Sequence, residues 1–89
     1  MEKEMHIVMA VDISEGSEYG PFVVTIEDNY NIALSKAMSF MKDKAAEWNI
    51  DPEKACDFDN LRVADEMGTK GLQCRIQNAA VSVSVKYSV

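Results

Sequence analysis

Between Tyr30 and Trp48 the spacing of apolar residues changes, and that change sets the fold class. Leu34, Ala37, Met38, Met41, Ala45 and Trp48 fall on one stripe of an α-helix, with Phe40 beside it. Lys36, Asp43, Lys44 and Glu47 lie off the stripe, where water can reach them. Asp28-Asn29 stands just ahead, where a short side-chain oxygen can accept an orphan backbone N–H and start the helix. The other apolar runs mostly alternate, which is the period of a strand. A helix with a single apolar stripe has to bury it against another layer, and here the available layer is a sheet.

The alternating runs place the strands. Met5, Ile7, Met9, Val11 and Ile13 share one face of a first strand, with His6, Val8, Ala10 and Asp12 on the other. Glu15-Gly16-Ser17-Glu18-Tyr19-Gly20-Pro21 is turn chemistry, and residues 22–27 are rich in β-branched side chains, so a hairpin is expected. Asp51-Pro52-Glu53 combines a capping Asp, a Pro at the first helical position and an acid near the dipole's positive end. It predicts a short second helix reaching to Asp57. Residues 61–66 form a weak third strand, and Gly68-Thr69-Lys70-Gly71 a turn.

Leu72, Cys74 and Ile76 then alternate inward, followed by Val81, Val83, Val85 and Tyr87 alternating with serines and Lys86. The parity moves from even to odd between these two runs. A continuous strand would carry its apolar set to the opposite face, so Asn78-Ala79-Ala80 is expected to hold a tight turn or a bulge, preferably a turn. The order is β-β-α-(α)-β-β-β: an α+β two-layer sandwich, one main amphipathic helix plus a short second one on a mostly antiparallel sheet of four to five strands. Met5 and Met9 are expected to meet Met38 and Met41 in the core.

The 89 residues make one domain, 1–89, which buries only about 60–65% of its unfolded surface. The net charge of −6 repels phosphates, and the nine Lys and Arg are scattered. Direct nucleic-acid binding and docking on an anionic membrane are therefore disfavoured, whereas a basic protein surface is permitted. No apolar run reaches the ~18 residues of a membrane span. Met1-Glu2-Lys3-Glu4 lacks the pattern of a secretory leader. Cys56 and Cys74 are too few for a disulfide framework, so a reducing, cytoplasmic setting with free thiols is expected.

Motifs that carry chemistry fail on spacing. Asp57-Phe58-Asp59-Asn60 begins like a calcium loop, but Leu61 and Arg62 stand where an oxygen ligand and a glycine belong. His6, Cys56 and Cys74 have no zinc-ligand spacing. A Ser–His–Asp triad could use only His6, and no serine sits in a Gly-flanked elbow. Gly68-Thr69-Lys70-Gly71 lacks the spacing of a phosphate-binding loop. Asp65-Glu66 are adjacent on a strand and point apart, and Asp43 and Glu47 pair on the wet side of the helix. No enzyme activity, cofactor or metal is expected.

What remains points to association. The leading expectation is a non-catalytic acidic protein-interaction module, a small accessory or inhibitor protein with a basic protein partner. Its contact residues would be Glu15, Glu18, Tyr19, Asp57, Asp59, Asp65 and Glu66. If the last strand lies at a sheet edge, Val81, Val83, Val85 and Tyr87 offer a template for a homodimer. The alternatives are a small-ligand carrier or sensor with an apolar pocket under the helix lined by Phe40, Met41 and Trp48, and an assembly subunit of a larger complex.

Overall fold

The computed structural model describes residues 2–14 and 19–82, and the side chains of 4–14 and 20–80. Its elements are β1 (Glu2–Asp12), β2 (Tyr19–Glu27), α1 (Tyr30–Glu47), α2 (Pro52–Ala55), β3 (Cys56–Asp57), β4 (Arg62–Ala64) and β5 (Gly71–Ser82). All strand pairs are antiparallel, in the order β2-β1-β5-β4-β3. The α+β sandwich and its element order are those expected, although two of the strands arise differently.

Residues 78–80 hold neither a turn nor a bulge. β5 runs straight through them, paired with β1 without a break from Glu2↔Ser82 to Asp12↔Leu72. Leu72, Cys74 and Ile76 face the helix, and Ile76 is the last residue of β5 that packs on the described core; the side chains of the odd-numbered run from Val81 to Tyr87 lie outside the described residues. The missing strand is supplied by Cys56–Asp57, expected as the end of the short helix. α2 stops at Ala55, and the chain then pairs Cys56 with Val63 and Asp57 with Arg62.

Local chemistry starts and stops the elements. Asn29 Oδ1 accepts from the backbone N–H groups of Asn31 (2.8 Å) and Ile32 (3.2 Å), capping α1. Asp51 Oδ1 accepts from the Glu53 N–H at 3.0 Å, with Pro52 at the first helical position. Asp57 Oδ1 accepts from the N–H groups of Asp59 and Asn60 and closes the β3–β4 turn. Leu61 ends that turn at φ 52°, a left-handed conformation that costs a branched side chain. It is held there by packing on the core and by its carbonyl, which accepts from the Cys74 N–H at 2.8 Å. Gly71 is buried where a Cβ would sit 2.8 Å from Ile13 Cγ1, so the β1–β5 ribbon closes tightly only over glycine.

The core is made by small residues on the helix and larger ones on the sheet. Ala33, Ala37, Met41 and Ala45 are the buried residues of α1, spaced by four along one line. The alanines let the helix axis approach the sheet, which leaves Leu34 and Met38 only half-buried at the margins. Val8 and Ala10 of β1, Val63 of β4, and Leu72 and Cys74 of β5 supply the opposing layer. Met5 and Met9 do not join Met38 and Met41 in the core. Val8 and Ala10 take that place, so by strand alternation Met5 and Met9 stand on the other side of the sheet. Lys36 Nζ reaches Glu27 Oε1 at 2.7 Å and ties α1 to the end of β2.

Candidate interaction surface

Alternation along β1 divides its apolar residues between two faces. Val8 and Ala10 are fully buried under α1. Met5, Ile7, Met9 and Val11 belong to neither core cluster and line, half-buried, the opposite face of the sheet, which is bare in that no helix covers it among the described residues. At about 3.3 Å per residue this stripe runs roughly 20 Å.

β2 extends the patch sideways. Ile26 stands opposite Ile7 and Val23 opposite Met9, and these two are 45% and 53% exposed. The register slips between Val8 and Met9, so Val24 is an extra residue on β2. The bulge turns Val24 into the core on the helix side while keeping Val23 on the bare face.

β5 supplies the polar border. Gln77, Arg75 and Gln73 stand opposite Ile7, Met9 and Val11, and Arg62 of β4 stands opposite Gln73. Met9, Val11, Pro21, Gln73, Arg75 and Gln77 line a shallow cleft of about 250 Å³ on this face. Arg75 lines this cleft, and Arg62 stands farther along the same face opposite Asp57, whose carboxyl its charge helps to hold down; neither arginine has a salt bridge among the described residues. An apolar stripe bordered by two arginines thus sits on a chain of net charge −6.

The acids expected at an interface do not form one patch. Asp57 and Asp59 lie at the turn end of the β3–β4 hairpin, and Asp65 and Glu66 at its other end, beside Asp51, Lys54 and the largely exposed Met67. Two of them are occupied in turns. The side chains of Asn60 and Thr69 donate to Asp57 (2.8 Å) and Asp65 (2.6 Å), and with backbone N–H groups they hold both carboxyls below the usual range. Ser14 does the same for Asp12, helped by the Lys44 charge. Glu15 and Glu18 lie outside the described residues, as does the side chain of Tyr19.

The other expected sites are dispersed. Met41 is wholly buried, and Phe40 packs edge-to-face on Phe22 with ring centroids 6.1 Å apart. Trp48 opens instead on a shallow polar cleft with Asp12, Ser14, Lys44 and Lys70. Neither this cleft, nor the one on the bare face, nor the one beside Met67 is lined by all three side chains. Val81 pairs with Lys3 of β1, and its strand is interior where β4 covers it; Val83, Val85 and Tyr87 lie outside the described residues.

The thiols are quiet. Burial pushes Cys74 up to about 11 and raises Cys56 as well, against a small opposing pull from Lys42. His6 turns its ring edge-on to Tyr30 at 5.6 Å, with Nδ1 buried and without a hydrogen-bond partner among the described residues. No three His, Cys, Asp or Glu among the described residues are placed to hold a metal ion. Nor is any described helix long and apolar enough to cross a membrane.

The bare face is what sequence reasoning missed. Its signal was present in the odd-numbered apolar run of β1, which alternates with an even-numbered set that is itself apolar at Val8 and Ala10. In comparisons with family models, curated proteins and solved structures, nothing matches this chain. Function is therefore read from the geometry alone.

Proposed function

We propose that this chain is a non-catalytic protein-interaction module, a small accessory or inhibitor protein, that meets its partner through the bare face of the sheet. One observation carries the reading: Met5, Ile7, Met9 and Val11, with Val23 and Ile26 beside them, form a continuous apolar patch outside the core. A soluble chain that exposes such a patch gains by covering it. The partner's contact surface is apolar at its centre, with carboxylates or carbonyls opposite Arg62 and Arg75. The charge of −6 acts at longer range and speeds encounter with a partner that is basic overall. Two unpaired thiols, both pushed up by burial, agree with a reducing cytoplasmic setting and with a role that uses no thiolate nucleophile.

The test is a double variant, Ile7→Asp with Met9→Asp. The new carboxylates stand opposite Gln77 and Arg75, so the fold tolerates them. In size fractionation of native extract, the wild type is expected to co-elute with one protein at fixed stoichiometry. The double variant should elute at its own mass with its circular dichroism unchanged. A double variant that stays in the complex would sink the reading.

A further inference from the structure

The second register shift between β1 and β2 opens a space on the bare face. Ala10 stands opposite Phe22 and Asp12 opposite Tyr19, so Val11 faces two residues, Gly20 and Pro21. Pro21 has no N–H to give the ladder, and Gly20 has no side chain. A carbon added at Gly20 would meet nothing within 4 Å. The cleft of about 250 Å³ lies here, floored by Met9 and Val11. Pro21 of β2 stands on one side of it, and Gln73, Arg75 and Gln77 of β5 stand on the other.

The lining carries one charge, and nothing among the described residues answers it. Arg75 stands opposite Met9, and its guanidinium has no hydrogen bond, ion pair or ring contact among those residues. The Gln77 amide, two residues along the same face, has no partner among them either. Gln73 is fixed differently, since its Nε2 donates to the Asn60 carbonyl at 3.0 Å. A fork of N–H donors beside an apolar floor suits a carboxylate on a hydrocarbon body, because guanidinium pairs with carboxylate through two parallel hydrogen bonds. A phosphate ester suits it less. Its second negative charge would find no second cation in the lining and would meet a chain of net −6. Size narrows the class further. At ~30 Å³ per water in the liquid, 250 Å³ is the volume of about eight waters. That lies just under the ~300 Å³ at which pockets for drug-sized ligands begin, so the occupant has about ten non-hydrogen atoms.

We infer that this cleft binds a small apolar monocarboxylate. Its carboxylate pairs with the Arg75 guanidinium, the Gln77 amide donates beside it, and its hydrocarbon body lies on Met9, Val11 and Pro21. Met9 is unbranched and can shift to fit the body it meets. The site shares the face read above as a protein contact but does not depend on that reading. Its test uses the isolated chain with no partner present, so a failure here leaves the protein contact standing, and the reverse holds as well.

Titration with octanoate, a monocarboxylate of about the right size, tests it by NMR of the methionine methyl groups and the arginine side chains. Octanoate at millimolar concentration is expected to shift Met9 and Arg75 saturably, while the buried Met41 stays still. Acetate lacks the body and octyltrimethylammonium lacks the carboxylate, so neither should saturate in that range. Arg75→Gln, at an exposed position, should keep the wild-type melting temperature and weaken octanoate about tenfold or more. Octanoate that moves neither resonance overturns the inference. So does acetate that binds as tightly as octanoate, which would mark a simple anion contact. An Arg75→Gln chain that binds octanoate as well as the wild type overturns it too, because the binding would then be to apolar surface alone.

Discussion

Met41 and Met9 carry the same side chain in opposite settings, and truncating each to alanine measures the division between the two faces of the sheet. Met41 is fully buried in the core between Ala37 and Ala45. Met→Ala removes three heavy atoms, worth about 2.4 kcal/mol at ~0.8 kcal/mol per buried methylene-sized group. The alanines around it have no length with which to fill the space, so a cavity penalty adds and the total comes to about 3–4 kcal/mol. At ~2.1 cal/mol/K per residue, 89 residues give an unfolding entropy of about 190 cal/mol/K, so each kcal/mol moves Tm by about 5 °C. Met41→Ala should therefore lower Tm by about 15–20 °C. Met9→Ala, on the half-buried open face, leaves no enclosed cavity and should cost below ~1 kcal/mol, or about 5 °C. Urea unfolding followed by Trp48 fluorescence, with scanning calorimetry alongside, reads both. A loss at Met9 equal to that at Met41 would refute the placement of the two faces.

Three further outcomes follow from the same geometry. Asp57 and Asp65 have depressed folded-state pKa values, so the stability they add is full above the unfolded carboxylate value of about 3.9 and is lost as pH falls through the lower folded values. Thermal melts of an Asp57→Ala, Asp65→Ala double variant should accordingly lie below the wild type at neutral pH and converge with it in acid; a gap that persists to about pH 2 contradicts this. In the native protein a thiol reagent should label the half-buried Cys56 well before the buried Cys74, which should react only at the rate of unfolding; equal rates would count against the burial described. Asn29→Ala removes the acceptor for two N–H groups of α1 and should cost about 1 kcal/mol in a denaturant melt, with no loss arguing that another group caps the helix.

Much of the fold was legible because its signals are local. The helical stripe, the caps at Asn29 and Asp51, and the inward run Leu72, Cys74, Ile76 depend on spacing and on groups within a few residues. The failures share one cause: which face of a strand is covered is a tertiary fact. β1 is apolar on both faces, so periodicity alone could not say that Val8 and Ala10, and not Met5 and Met9, lie under the helix. The parity change along β5 predicts a turn only if one layer covers the whole strand, and among the described residues the core reaches no further along it than Ile76. Cys56–Asp57 was hidden because a two-residue strand carries no period. The site followed the same rule. Charge drew attention to Asp57 and Asp65, whose carboxylates close turns, while the bare apolar face appears only once the sheet is assembled.

The six methionines make the central claim directly measurable. With methyl-13C methionine, NMR in the presence of a soluble paramagnetic agent reads the exposure of each methyl group, first in the isolated chain and then in its native complex. The account predicts that Met5 and Met9 are broadened in the isolated chain and protected in the complex, while Met41 stays unbroadened in both. Met5 and Met9 methyls that remain equally accessible in the complex would contradict the bare face as the binding surface.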